Sequence, residues 1–351
     1  MSQKQKYFDP ERLETSSFFI AEVGQNHQGD FDLACKYIKD FAYLGASAVK
    51  FQMRNNKVLF SASHYKKSYD SENAFAGTYG EHREKLELNI DEFSKLKDLA
   101  HQYNCAFMVT PFDEDSLAQL VDIGVDILKI ASFDLGNLPF IEQICSYNLP
   151  TVLSVGGGKT EEIAASVELM KGLDDYAILH CVSEYPCPAE KLNLRQITKL
   201  KEKFPGSTIG LSDHFSGISS GPVSYMLGAR VFEKHVTFSH TMKGTDHVFS
   251  LLPEGFRKFV RDINNVPKML NHVDKTGIGN EIVFNKLGKS IIAKVDIAKG
   301  SVVSPEMLGF VIDNNNGLPV RESRKIIGKK VIENINANQL IHLDMIAVDN
   351  D

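Results

Sequence analysis

The chain has 351 residues, of which 43% are hydrophobic and 24% are charged, a balance typical of a soluble globular protein with a sizeable core. Its formal charge of −6, without a basic stripe, disfavours nucleic-acid binding. No apolar run reaches the roughly 18–20 residues that cross a bilayer. Because the five cysteines form no CxxC pair and the N-terminus is polar, we expect a cytoplasmic protein. With the charge and the lack of a long apolar run, we also expect it to bind neither nucleic acid nor a membrane.

Eight short apolar segments, each followed by a helical stretch, repeat between about residues 17 and 270. They are rich in Val, Ile and Phe and do not alternate cleanly with polar residues, as expected of parallel strands buried on both faces. The predicted strands are Phe18–Val23, Ala48–Gln52, Ala106–Thr110, Ile127–Ala131, Thr151–Val155, Ala177–Cys181, Thr208–Leu211 and Val231–His235.

Amphipathic stretches with helical spacing separate these strands. Examples are Phe31–Leu44, Asp91–Tyr103, Asp115–Ile123, Thr160–Leu173, Leu194–Phe204 and Ser219–Leu227. Predicted N-terminal caps are Asp30, Asn89, Thr160 and Asn193. Eight β-then-α units predict an α/β protein whose main domain is a closed (β/α)8 TIM barrel. An open doubly wound sheet is the alternative, but the first strand is not followed by the GxGxxG of a dinucleotide-binding version.

The pattern changes after about residue 270. A polar segment that contains Gly predicts a linker, and short β-type runs separated by turn signals follow it. We therefore predict a barrel domain over residues 1–270, a linker over 271–284 and a small β-rich domain over 285–351.

Polar residues are dense at the carboxyl ends of the predicted strands, where barrel enzymes have their active sites. Lys50 and Lys129 indicate an anionic ligand, and nearby hydroxyl groups suit phosphate oxygens. These hydroxyl groups belong to Thr110, Ser132, Ser154 and Ser212. Gly156–Gly158 could present backbone N–H groups to the same anion, although a tight turn explains three glycines equally well.

Two histidines, His214 and His235, end the last two predicted strands. Neutral imidazole is the commonest protein ligand of a catalytic divalent metal. The pair could therefore hold one ion and leave positions open for substrate, with structural packing as the alternative. Asp213 could orient a histidine, and His180 is equally consistent with a core residue.

Four motifs resemble the sialic acid synthase family: IAEVGQNHQGD at residues 20–30, AVKFQ at 48–52, LSDH at 211–214 and KGTDH at 243–247. The segment 78–88 is similar to the animal-type branch in particular, and the tail from Lys286 resembles the family's antifreeze-like (SAF, β-clip) domain. The resemblance covers nearly the whole chain. It implies that phosphoenolpyruvate condenses with an N-acetylated amino sugar, such as N-acetylmannosamine or its 6-phosphate, to a nine-carbon 2-keto acid and phosphate.

The resemblance also implies roles for individual residues. His214 and His235 would hold Mn²⁺ or Mg²⁺ and act in catalysis together with Glu22 and Gln52. Phosphoenolpyruvate would contact Lys50, Thr110, Lys129, Ser132, Ser154, Ser183 and Ser212, and the sugar would meet Glu22, Gln52, Tyr185 and Asp246. The implied assembly is a domain-swapped homodimer.

Two questions about function stay open in the sequence: which sugar is used, and which of several activities the protein has. Many bacterial members carry an Arg-Pro-Gly segment whose Arg reaches the sugar, whereas Asp313–Gly317 contains no Arg here. The sugar could therefore be N-acetylmannosamine, its 6-phosphate or a bacterial diamino hexose. The alternatives to this activity are a 3-deoxy-sugar-acid phosphate synthase, a metal hydrolase barrel and a non-catalytic carbohydrate-binding protein. The tail and the KGTDH motif disfavour the 3-deoxy-sugar-acid phosphate synthase, and the lack of HxH on the first strand disfavours the metal hydrolase. The ring of polar residues at the strand ends disfavours a non-catalytic binding protein.

Overall fold

The computed structural model describes residues 6–270, 281–314 and 316–347. The chain divides into two compact units, Met1–Asn271 and His272–Asp351. Within the described residues, no helix has the length and apolar character required to span a membrane.

The larger unit is built on eight parallel strands that form a closed barrel in chain order, with β1 paired to β8. The strands are β1 Phe18–Gly24, β2 Ala48–Met53, β3 Ala106–Pro111, β4 Ile127–Ile130, β5 Thr151–Ser154, β6 Tyr176–Cys181, β7 Thr208–Asp213 and β8 Val231–His235. Each end lies within two residues of its predicted position. The predicted barrel is therefore confirmed.

Helices surround the barrel and occupy the loops between its strands. They are α1 Phe31–Tyr43, α2 Asn56–Leu59, α3 Ala62–Tyr65, α4 Tyr79–Glu84, α5 Ile90–Gln102, α6 Glu114–Asp122, α7 Leu138–Ser146, α8 Thr160–Met170, α9 Gln196–Lys203, α10 Ser220–Met226 and α11 Pro253–Met269. The short helices α2, α3 and α4 lie in the long connection that follows β2.

Local capping explains where several helices begin. Asp30 accepts a hydrogen bond from the backbone of Leu33, and Asn89 forms a reciprocal capping box with Glu92. The two other predicted caps are wrong. Thr160 is the first residue of α8 rather than its cap, and α9 is capped at Arg195 because Asn193 takes a left-handed turn conformation (φ 46°) before it.

Side-chain alternation along the strands sets two layers inside the barrel. A lower layer is apolar and includes Ile20, Ala48, Met108, Ile127, Val152, Leu179 and Val231. The next interior positions, two residues further along each strand, are mainly polar. Phe8 and Leu13, from the segment before β1, pack into the apolar layer and fill the amino end of the interior.

The smaller unit contains an antiparallel pair of strands, β9 Lys289–Ala293 and β10 Leu308–Ile312. Its core consists of aliphatic side chains, among them Ile291, Ile297, Val303, Ile326, Val331, Ile335 and Ile341. Residues 271–280 of the predicted linker lie outside the described residues, and the following residues form helix α12, Glu281–Leu287.

Candidate active site

The upper polar layer lines a cavity of about 660 Å³ at the carboxyl ends of the barrel strands, a volume suited to small-molecule substrates. The predicted site residues that line it are Glu22, Lys50, Gln52, Thr110, Lys129, Ser132, Ser154, Tyr185, Ser212, His214, His235 and Asp246. The closed barrel thus brings together side chains from all eight strands or the loops that follow them.

Ser183 is not one of the residues that line this cavity, and it is exposed. A Cβ atom added to Gly156 would stand 2.6 Å from the Ser183 hydroxyl and 3.0 Å from that of Ser132. The Gly156 N–H donates to Ser132 Oγ at 3.0 Å. The glycine loop therefore lets two hydroxyl groups approach the backbone closely.

A network of buried charges forms the floor of the cavity. Lys50 Nζ lies 2.8 Å from Glu22 Oε2 and 3.7 Å from Glu233 Oε1, and it donates to Thr110 Oγ1 at 3.3 Å. Ser212 Oγ donates to the same Glu233 oxygen at 3.1 Å. These residues are nearly inaccessible to solvent, so their mutual contacts offset the cost of removing the charges from water.

The two floor carboxyl groups differ in their ionisation. Burial raises the pKa of Glu22, and Lys50 only partly opposes that effect. Burial also disfavours the charged form of Glu233, but Lys129 and Lys50 together outweigh it and lower the pKa of Glu233 to about 2. Glu233 is therefore a carboxylate near neutral pH, whereas Glu22 is the group suited to carrying a proton.

Glu233 is absent from the residues singled out in the sequence, although a signal for it exists. His235 faces the barrel interior from the end of β8, and strand alternation places the residue two positions earlier on the same face. The pairing of Ser212 with Glu233 across β7 and β8 brings this carboxylate into the polar layer.

His214 and His235 lie side by side, with their ring centroids 5.3 Å apart. His214 Nδ1 lies 2.8 Å from the carbonyl oxygen of Val182, so it donates there and leaves Nε2 free. Burial and the neighbouring His235 lower the pKa of His214 to about 4, and burial lowers that of His235. Both rings are therefore neutral at pH 7, the form that binds metals.

The histidine pair offers two neutral imidazole rings to a divalent metal. His235 Nδ1 is buried without a hydrogen bond, 3.7 Å from Asp246 Oδ2. Among the described residues, no group of three or more His, Cys, Asp or Glu side chains is arranged to hold a metal by itself. Two neutral imidazoles fit an ion that takes its other ligands from substrate or water.

Two residues considered in the sequence serve the scaffold instead. Asp213 forms an ion pair with Lys234 at 2.6 Å and accepts hydrogen bonds from Ser220 Oγ and the Phe215 N–H. It therefore secures the loop after β7 rather than contacting a histidine directly. His180 Nε2 lies 2.8 Å from the Leu192 carbonyl oxygen, as expected of a core histidine.

The side of the cavity above Glu22 extends towards the mouth through a chain of hydrogen bonds. Gln52 Nε2 donates to Glu22 Oε1 at 2.7 Å, and Arg54 Nη2 donates to Gln52 Oε1 at 2.6 Å. Tyr185 is 45% exposed, and its ring packs on His214 with centroids 4.0 Å apart. These side chains offer hydrogen bonds and an aromatic face to a polar substrate.

Comparison with known proteins agrees with this arrangement. Residues 37–275 match the NeuB family, and residues 288–347 match the SAF domain. The chain belongs to the NeuB family. The predicted resemblance to sialic acid synthases, with their SAF domain, is thereby confirmed.

Relatives of this NeuB family member include several synthases. It is 33% identical to N-acetylneuraminate-9-phosphate synthase of Homo sapiens, over 94% of this chain and 92% of that protein. It is 32% identical to N,N'-diacetyllegionaminic acid synthase of Legionella pneumophila, over 93% and 94% respectively. The crystal structure of N-acetylneuraminic acid synthetase from Leptospira borgpetersenii, in complex with citrate, superposes with a TM-score of 0.65 at 33% identity, covering 77% of this chain and 89% of that one. The chain is therefore an enzyme of the nonulosonic acid synthase type.

Proposed function

We propose that this enzyme condenses phosphoenolpyruvate with the open-chain aldehyde of an N-acetylated amino sugar, of the N-acetylmannosamine class. The products are a nine-carbon 2-keto acid and inorganic phosphate. The observation that carries the proposal is one cavity that joins a floor of buried Lys, Glu and hydroxyl groups to a pair of neutral histidines. The named activities of the relatives support the same reaction class.

The proposed reaction forms one C–C bond and one C–O bond to water, and it breaks the C–O bond between C2 and the phosphate group. The enol carbon C3 of phosphoenolpyruvate attacks the aldehyde carbon, and the aldehyde oxygen takes up a proton. Water adds at C2, where positive charge has developed, and loses a proton. The C–O bond to the phosphate group then breaks, so that phosphate leaves and the 2-keto acid remains.

The floor of the cavity suits the phosphoenolpyruvate half of this reaction. Lys50 and Lys129 supply positive charge, and Thr110, Ser132, Ser154 and Ser212 supply hydroxyl groups for phosphate and carboxylate oxygens. The ionised Glu233 contacts Lys50 and Ser212. It fixes these donors in place before substrate arrives, which reduces the reorganisation needed in the transition state.

The sugar half would meet Glu22, Gln52, Tyr185 and Asp246. Because burial raises the pKa of Glu22, its carboxyl group is the one suited to transferring a proton to the oxygen of the attacked aldehyde. Gln52 donates to Glu22 and keeps that carboxyl group oriented.

His214 and His235 would hold a divalent metal, Mn²⁺ or Mg²⁺. When bound there, such an ion would supply Lewis-acid polarisation of the aldehyde carbonyl. From the family resemblance we also propose a cytoplasmic location and a homodimer that exchanges its SAF domains. The proposed division of the chain remains 1–270, 271–284 and 285–351.

Phosphate release from phosphoenolpyruvate tests the function. The purified enzyme with Mn²⁺ is given N-acetylmannosamine, its 6-phosphate or a 2,4-diamino-6-deoxy hexose. We expect release with one of these sugars and its loss on addition of a chelator. His235→Ala should lower turnover on the order of a thousandfold, because several kcal/mol of carbonyl polarisation are lost.

The matched control is His101→Gln, which changes an exposed histidine outside the cavity and should keep full activity. Bound Mn²⁺ is measured in parallel, and it should be lost only from the His235 variant. If folded, metal-loaded wild-type enzyme releases no phosphate with any of the sugars, the proposed function is wrong.

A further inference from the structure

Three cationic side chains line the cavity outside its floor: Arg54, Arg83 and Lys243. We call them the outer cation cluster. Arg54 follows β2, Arg83 lies in α4 and Lys243 lies in the loop after β8. The reaction steps described above use none of them, so their convergence on one wall of the cavity calls for another role.

The charge balance of the cluster differs from that of the floor. On the floor, Lys50 contacts both Glu22 and Glu233. In the outer cluster, Glu87 lies 3.6 Å from Arg54, but no carboxylate among the described residues lies within ion-pair distance of Arg83 or Lys243. This wall of the cavity therefore carries an excess of positive charge, which favours an anionic ligand.

Each arginine also has a guanidinium nitrogen that donates no hydrogen bond to the described part of the protein, although Arg54 Nη1 lies 3.6 Å from Glu87 Oε1. These two nitrogens, Arg83 Nε and Arg54 Nη1, are buried. Burying an unpaired guanidinium N–H is costly. The cost is removed if a bound ligand accepts from both groups, as phosphate oxygens do from arginine.

The arginines are close enough to affect each other and are held by aromatic rings. Burial and the charge of Arg83 lower the pKa of Arg54 to about 10. The Arg54 guanidinium stacks 3.9 Å above the Phe112 ring, and Lys243 Nζ lies 4.9 Å from the Phe75 ring centroid. Like charges fixed near one another in this way are stabilised by an anion between them.

The position of the cluster relative to the floor identifies the part of the substrate that it meets. Glu22, Gln52 and Arg54 form a hydrogen-bonded chain from the floor outward. In an open-chain hexose, the aldehyde carbon C1 and the hydroxyl carbon C6 are at opposite ends. A sugar whose C1 lies near Glu22 and the histidine pair therefore extends its C6 end away from the floor.

We propose that the outer cation cluster binds a phosphate group on C6 of the amino sugar. The preferred acceptor is then an N-acetylated hexosamine 6-phosphate, and the product is a nine-carbon 2-keto acid 9-phosphate, since three carbons are added ahead of C1. This inference rests on the proposed condensation. The phosphate on C6 takes no part in bond making or breaking.

The test compares N-acetylmannosamine 6-phosphate with N-acetylmannosamine in the presence of phosphoenolpyruvate. We expect wild-type enzyme to favour the phosphorylated sugar in kcat/KM by about a hundredfold, as charge-assisted hydrogen bonds to phosphate imply. Arg83→Met should reduce this preference about 30-fold through KM for the 6-phosphate, while KM for phosphoenolpyruvate changes less than about threefold.

Two further variants make the test robust. Lys243→Met changes an exposed side chain, so the fold is retained, and it should reduce the same preference by about tenfold. Lys66→Met removes an exposed positive charge outside the cavity, from the connection between β2 and α5 that also contains Arg83. This control should keep the wild-type preference.

Two outcomes would overturn the inference. Wild-type enzyme could use the unphosphorylated sugar as well as the 6-phosphate, or Arg83→Met could raise KM for phosphoenolpyruvate instead. Both leave the proposed condensation intact, because phosphate is still released. If no sugar supports phosphate release, the binding of N-acetylmannosamine 6-phosphate to wild type and to Arg83→Met is measured by calorimetry, which tests the cluster independently of turnover. Equal affinity of the two proteins, or no binding to either, would contradict the inference.

Discussion

Glu22 and Glu233 lie on neighbouring strands of the barrel and contact the same Lys50 amino group, yet their surroundings shift their pKa values in opposite directions. Lys129 makes the difference, because its charge contributes strongly to the lowered pKa of Glu233. One buried carboxyl group is thereby kept charged and the other can hold a proton. Such a separation lets a single cavity bind a charged substrate and move a proton.

His27 provides a residue-scale prediction about pH. The side chain is fully buried, and burial lowers its pKa from 6.5 to about 4 against a smaller opposing effect of Asp30. The unfolded chain binds a proton as pH falls below 6.5, whereas the folded chain resists until about pH 4. The contribution of His27 to the free energy of unfolding is therefore fully present above pH 6.5. It is lost as the pH falls from 6.5 to 4, by up to about 3 kcal/mol.

Urea unfolding of wild type and His27→Gln between pH 4 and 7.5 measures this effect. The variant should lose less stability across that range than the wild type, although other buried histidines keep part of the slope. His64→Gln, at an exposed position, should show the wild-type slope. Parallel curves for wild type and His27→Gln would contradict the assignment.

At the scale of elements, the strands β7 and β8 are joined by a buried ion pair beneath the two histidines. Lys234 and Asp213 are 1% and 0% exposed, and Lys234 also donates to the Phe215 carbonyl oxygen. Lys234 points out of the barrel, because its neighbours Glu233 and His235 face inward. The pair thus links the ends of both strands that carry the candidate metal ligands.

We predict that Lys234→Met or Asp213→Leu alone lowers the free energy of unfolding by about 3–5 kcal/mol, since each leaves an unpaired buried charge. The double variant should cost clearly less than the sum of the two single variants. Urea unfolding of the four proteins measures the coupling. Additive losses would show that the contact is energetically unimportant.

The sequence predicts elements well where a local pattern exists. Buried runs of Val, Ile and Phe mark all eight barrel strands, and side-chain capping marks the starts of α1 and α5. The prediction at Asn193 fails because a residue with a short polar side chain suits a left-handed turn as well as a helix cap. Local sequence cannot choose between these conformations, since the surrounding chain decides which turn is needed.

At the scale of the whole molecule, the division into Met1–Asn271 and His272–Asp351 predicts separate folding. The barrel unit is long enough to bury a core of its own. We expect a variant that ends at residue 271 to unfold in one cooperative thermal transition, within about 5 °C of the main transition of the full chain.

Differential scanning calorimetry compares the truncated and full-length proteins, and phosphate release is measured on both. The truncated enzyme should still bind phosphoenolpyruvate, because the residues proposed to contact it belong to the first unit. Loss of the cooperative transition on truncation would show that the barrel depends on the smaller unit.

The sequence by itself determined the strand order, the polar strand ends and the family, because these depend on local patterns and short motifs. Closure of the barrel decided which side chains meet. Glu233 acquires its role only when β8 lies beside β7 and β1. Arg54 and Arg83 are 29 positions apart in the chain and line the same cavity only in the folded protein. Contacts between distant residues depend on burial and chain closure, which no local pattern encodes.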